Sequence, residues 1–125
     1  MNIVEALDQA IASHAKWKYR LMEAIDTEKS EWRVSDVRTD NSCNFGKWLS
    51  ELPLSERLSE NYNKVRTLHA EFHGLAADVL ELALAGRKDE AAAAMALGSR
   101  FAAVSSNLTM AVMAWKDAAS DNTPA

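Results

Sequence analysis

Four side chains in this sequence have the chemistry to hold a transition metal: the single cysteine, Cys43, and all three histidines, His14, His69 and His73. His69 and His73 are spaced i, i+4, which stacks two imidazoles on one face of a helix. His14 falls inside the apolar stripe Ile3, Leu7, Ala10, His14, Trp17, Leu21, Ile25, so it faces a core. Cys43 follows the turn-rich run Asp40-Asn41-Ser42. A lone core histidine is usually a hydrogen-bonded residue, and a lone cysteine is usually a small buried hydrophobe. The combination carries more weight, because three imidazoles buried without a partner would each cost about 1–3 kcal/mol of desolvation. One divalent ion satisfies all four groups. Imidazole and thiolate disfavour magnesium and calcium and suit tetrahedral zinc; copper and nickel also accept such donors.

Four protein ligands leave no open position for water, which argues against metal-assisted hydrolysis and against an enzyme. A carboxylate-bridged di-iron site would need Glu-x-x-His pairs, but Arg66 and Ala70 stand three residues before His69 and His73. A Cys–His nucleophilic pair lacks any Gly-rich oxyanion loop. Asp40, three residues before Cys43, suits either a helix cap or an acceptor for a ligand imidazole, the cap being the commoner use.

The elements that must position these groups are helices. The chain of 125 residues contains 2 prolines and 4 glycines and is 48% hydrophobic. The periodicity predicts a helix over residues 2–28, an irregular connection over 29–42, and a short helix from Cys43 to about Leu52, stopped by Pro53. A third helix is predicted over 54–85, with the stripe Leu58, Tyr62, Val65, His69, Phe72, Ala76, Val79. A last helix is predicted from about Lys88 to Asp117, with the stripe Leu97, Phe101, Val104, Leu108, Ala111, Trp115. The fold expected is all-α, an antiparallel four-helix bundle of three long helices and one short helix that carries the cysteine. One domain over residues 1–118 and a flexible tail over 119–125 are expected. Trp17, Trp48, Phe72 and Trp115 read as core, Gly46 and Gly74 as points of close helix approach, and Glu81, Arg87 and Lys88 as solvated surface.

A net charge of −4 argues against nucleic-acid binding. No stretch has the roughly 18 apolar residues a membrane span requires. The N-terminus has no basic start or apolar run, and the lone cysteine cannot form an internal disulfide, so a cytoplasmic protein is expected.

Three segments resemble a known family, the chemoreceptor zinc-binding (CZB) domain. His14-Ala15-Lys16-Trp17-Lys18 is similar to its first histidine motif. Cys43-Asn44-Phe45-Gly46-Lys47-Trp48-Leu49 matches its Cys-x-(Phe/Leu)-Gly-x-Trp signature, and Leu68-His69-Ala70-Glu71-Phe72-His73 matches its paired-histidine helix. The resemblance implies a three-His, one-Cys zinc site in a cytoplasmic bacterial module that regulates chemoreceptors or diguanylate cyclases. It also implies sensing of zinc or of oxidants such as hypochlorous acid, with the thiolate of Cys43 as the oxidisable ligand. No receptor coiled coil or cyclase domain accompanies these motifs in the sequence. A different class is a zinc-stabilised dimerisation module without sensing. In that reading Met95, Ala102, Met110, Met113 and nearby alanines would form an apolar stripe for the partner of a homodimer.

Overall fold

The computed structural model describes residues 2–39 and 43–121, and every regular element among them is helical. Helix α1, Ile3–Thr27, is opened by Asn2, whose side chain accepts from the Glu5 N–H at 2.8 Å. It closes on Glu28, which takes a left-handed conformation, φ 60°. Its predicted stripe holds: Leu7, Ala10, His14, Trp17 and Leu21 are buried, and Ile3 and Ile25 pack partly against the same core.

The connection expected to be irregular contains a helix, α2, Val34–Arg38. It packs along the helix that carries His69 and His73 and buries Val37. Five residues are too few to display a period, which is why the pattern reading passed over it. Helix α3, Asn44–Glu51, is the expected short helix.

The helix expected over 54–85 is two helices: a single turn, α4, Leu54–Arg57, and then α5, Glu60–Leu84. Leu58, counted in the stripe, lies in the break and is exposed, while Tyr62, Val65, His69, Phe72, Ala76 and Val79 are all buried. Ser59 causes the restart, since its hydroxyl accepts from the Tyr62 N–H at 3.1 Å and caps a new helix. The last predicted helix is also divided, into α6, Lys88–Met95, and α7, Arg100–Asp121. Gly98 adopts φ +87°, and Ser99 accepts from the Ala102 N–H at 3.1 Å. Helix α6 ends where Ala96 turns extended, the left-handed Gly98 carries the chain around, and the serine starts the next helix, so Leu97, expected in the stripe, is 100% exposed. Helix α7 continues to Asp121, into the stretch expected as tail; residues 122–125 lie outside the described part.

The core lies where α5 meets α1 and α7, around Leu7, Leu21, Val65, Phe72, Leu80, Leu108 and Trp115. Trp17, Phe72 and Trp115 are buried as expected, and Trp48 packs partly against the core. The expectation for Gly74 is overturned: a Cβ there would meet nothing within 4 Å, so no helix approaches it closely. Glu81, Arg87 and Lys88 are exposed but paired, with Arg38, Glu90 and Glu28 respectively. Pairs this exposed add little stability. No helix among the described residues is long and apolar enough to cross a membrane.

Candidate metal centre

Helix α5 presents His69 and His73 on its inward face, 1% and 3% exposed, with ring centroids 4.5 Å apart. Their i, i+4 spacing makes this pairing a local consequence of the helix. Cys43 arrives from a distant part of the chain. It is the N-cap of α3, and its sulfur accepts from the Gly46 N–H at 3.3 Å. Cys43 is thus its own helix's cap, its sulfur reaching forward to the first turn; Asp40, expected as a cap or as an acceptor for a ligand imidazole, lies outside the described residues. An N–H bond to sulfur and the positive end of a helix both favour thiolate over thiol.

Donor atoms of Cys43, His69 and His73 all lie within 4.8 Å of one another. The sulfur of Cys43 stands 3.4 Å from Nε2 of His69. In a tetrahedral site with bonds of about 2.05 Å to nitrogen and about 2.3 Å to sulfur, the nitrogen-to-sulfur edge is about 3.5 Å. These three residues are positioned to hold one metal ion.

His14 is not part of that tight cluster. It comes from α1 and lines the same cavity of about 300 Å³ as Cys43, His69 and His73. Its ring centroid is 5.8 Å from that of His69. Its Nδ1 donates to the Ala10 carbonyl at 2.9 Å, which fixes the proton on that nitrogen and leaves a lone pair on Nε2. That Nε2 is buried and has no hydrogen-bond partner among the described residues. Orphaned buried nitrogens are costly, and an ion in the cavity would relieve this one.

His73 is oriented in the same manner by an element the sequence reading missed. Its Nδ1 donates to the Val37 carbonyl of α2 at 2.7 Å, so its Nε2 is also the unprotonated nitrogen. Ion pairs of Arg38 with Asp78, at 3.0 Å, and with Glu81 tie α2 to α5 beside this contact. Aromatic rings complete the walls: Phe72 against His14 at 4.5 Å, Phe45 against His69 at 5.1 Å and Trp17 against His73 at 6.4 Å. The apolar pair Val34 and Val37 was the only trace of α2 in the sequence, and a backbone carbonyl leaves no trace at all.

Burial pushes His14 from the ordinary 6.5 down to about 4, assisted by His73 and opposed by the Ala10 carbonyl. Burial holds His69 lower still, with His73 and His14 adding to the effect. The cavity thus keeps neutral imidazoles, the form that binds metals. In metal-free protein the unfolded chain takes up protons near pH 6.5 that folded His14 refuses until about pH 4. Stability is then full above pH 6.5 and falls as the pH drops. Urea midpoints of the metal-free protein should show a loss of about 2 kcal/mol from His14 alone between pH 7 and 5. A flat profile over that range would show that these imidazoles are open to protons in the folded state.

Fold and site together describe a helical domain in which one cysteine and two histidines are positioned to hold a metal. The family model of the chemoreceptor zinc-binding domain (CZB) matches residues 14–80, more than half of the chain, and the chain belongs to that family. His14, Cys43, His69 and His73 all fall within the match. No curated protein and no solved structure matches the chain.

Proposed function

We propose that this protein is a zinc-binding regulatory domain in which His14, Cys43, His69 and His73 ligate one zinc ion. In this reading it reports zinc availability or oxidants to a bacterial chemotaxis or cyclic-di-GMP system. The carrying observation is the approach of Cys43 sulfur to His69 Nε2 at 3.4 Å, within a cluster that also holds His73. Neutral imidazoles and a thiolate-favouring cap suit a borderline-soft ion. The orphaned Nε2 of His14 supplies the fourth donor. Membership of a family of chemoreceptor zinc-binding domains supports both the ion and the signalling context. The packing of α1, α5 and α7, with α6 beside them and α3 across, fits an antiparallel bundle of three long helices and one short one. The domain is no enzyme in this reading, acts in the cytoplasm and works through a chemoreceptor or a diguanylate cyclase.

Zinc, when bound, keeps Cys43 deprotonated. Cys43 is a partly buried residue lining the cavity, and a small oxidant that enters the cavity meets its sulfur. The thiolate attacks the chlorine of hypochlorous acid and releases hydroxide; hydrolysis of the sulfenyl chloride then gives sulfenic acid and chloride. Sulfur loses two electrons, chlorine gains them, and a poor ligand replaces a good one. Loss of that ligand frees the first turn of α3 from His69 and loosens Phe45, which packs on the same ring.

Elemental analysis of purified protein should find about one zinc per chain, absent from Cys43→Ala. One equivalent of hypochlorous acid should release it while adding one oxygen at Cys43, read by mass spectrometry. Protein that carries no metal in either form rejects the reading, and release without a change at Cys43 rejects its redox branch. A second reading has its own observation: Met110 and Met113 are 65% and 51% exposed on α7 and offer an apolar face to a second copy in a homodimer. A zinc site that never exchanges, in a protein dimeric with or without oxidant, favours that structural module.

A further inference from the structure

The metal cavity has a rim built by residues that no metal needs. Arg20 on α1 sits against two indoles at once, with its guanidinium carbon 4.9 Å from the ring of Trp17 and 4.6 Å from that of Trp32. The two indoles are also 5.3 Å apart, centroid to centroid. Trp17, Arg20 and Trp32 line the same cavity as Cys43, His69 and His73. Trp17 is the inner wall, buried and edge-on to His73. Trp32 is the outer wall and is 38% exposed.

The two walls differ in how they are held. Trp17 and Arg20 sit at i, i+3 on a helix of 25 residues, so their relative position is fixed. Trp32 rides on the non-helical connection between α1 and α2. The connection is shaped locally, with the Trp32 N–H donating to Ser30 Oγ at 2.9 Å. Across the fold, Trp32 is held by its contacts with the Arg20 guanidinium and the tilted ring of Trp17. Arg20 makes no salt bridge among the described residues, so its head group is committed to the indoles and not to a carboxylate. A cation–π contact at a partly exposed site is strong enough to favour one position and weak enough to open often.

We propose that Trp32, latched onto Trp17 and Arg20, is a gate over the metal cavity that sets how fast small solutes reach Cys43. The gate governs rates and leaves the equilibrium affinity of the site nearly unchanged, because none of its three residues supplies a donor atom. Its ligands are small: metal chelators, thiol-directed electrophiles and the metal itself. The proposal builds on the metal reading, but its first test does not require a metal.

Reduced, metal-free protein is treated with iodoacetamide, and alkylation of Cys43 is followed by mass spectrometry. Trp32→Ala and Arg20→Ala should each raise the rate about tenfold, while Trp32→Phe, which keeps an aromatic face, should stay within about threefold of wild type. Urea midpoints of the same proteins separate a local gate from global opening. Faster alkylation at an unchanged midpoint supports the gate, and faster alkylation that tracks a lowered midpoint overturns it. Rates within twofold of wild type in both alanine variants also overturn it, since Cys43 would then be reached by another path. With zinc loaded, transfer to excess EDTA should accelerate in the same order. If the protein loads no zinc, the metal reading fails while the alkylation result still stands for or against the gate.

Discussion

His69→Ala should lower zinc affinity by more than about 100-fold. Loss of a residue that merely orients a metal ligand typically costs 10–100-fold, and loss of a ligand costs more. His69 is the centre of the cluster: its Nε2 faces Cys43 sulfur at 3.4 Å, its ring lies 4.5 Å from His73, and it is 1% exposed. Competition against a chromophoric chelator measures the effect, with far-ultraviolet circular dichroism to show that the variant is folded. The same titration on His14→Ala decides the fourth position. His14 lies outside the tight cluster, and its orphaned Nε2 is the reason to count it as a ligand. A loss beyond about 100-fold makes it one. A loss under tenfold makes it a cavity wall, and the site then has three protein ligands and room for a solvent molecule. Binding by His69→Ala at the strength of wild type would remove the basis for the metal centre altogether.

Phe72→Ala should be the most damaging substitution to the fold among residues that are not themselves proposed ligands. Phe72 is 0% exposed and lies 5.4 Å from Phe101, 4.5 Å from His14 and 6.0 Å from His73. It therefore joins α5 to α7 and α1 at the level of the site. Truncation of a fully buried phenylalanine costs about 3–5 kcal/mol in lost burial and residual cavity. A small domain has only about 5–15 kcal/mol in total, so the melting temperature should fall by roughly 10–20 °C. Added zinc should recover part of the loss, since an ion that binds only the folded state stabilises by mass action. Phe72→Leu, which keeps most of the volume, should cost about 1.5 kcal/mol or less. Thermal melts of both variants with and without zinc test this, and a fall under 3 °C for Phe72→Ala would show that the three helices do not depend on this contact.

The two long stripes were readable because they are local. Leu7, Ala10, His14, Trp17 and Leu21 recur every three or four residues, as do Val65, His69, Phe72, Ala76 and Val79, and all of them are buried. The errors fall where the pattern continued through a break. Leu58 and Leu97 fit the stripes in period, yet the capping serines Ser59 and Ser99 and an extended Ala96 divide the helices beside them. Cap hydrogen bonds satisfy the backbone directly and outweigh one more apolar side chain in register. Helix α2 was missed for a different cause: its five residues are stabilised by packing on α5 and not by their own period.

By itself the sequence determined the donor chemistry, the pairing of His69 with His73 and the helical stripes that turn His14 and His69 inward, since all of these follow from residue type and the geometry of one helix. Only the tertiary structure decided that Cys43 meets His69 across 26 positions of chain, that the Val37 carbonyl orients His73, and that Trp32 closes over Arg20. Such contacts join segments whose local patterns are independent of each other. They exist because helices burying a common core must settle at particular offsets, and packing sets those offsets.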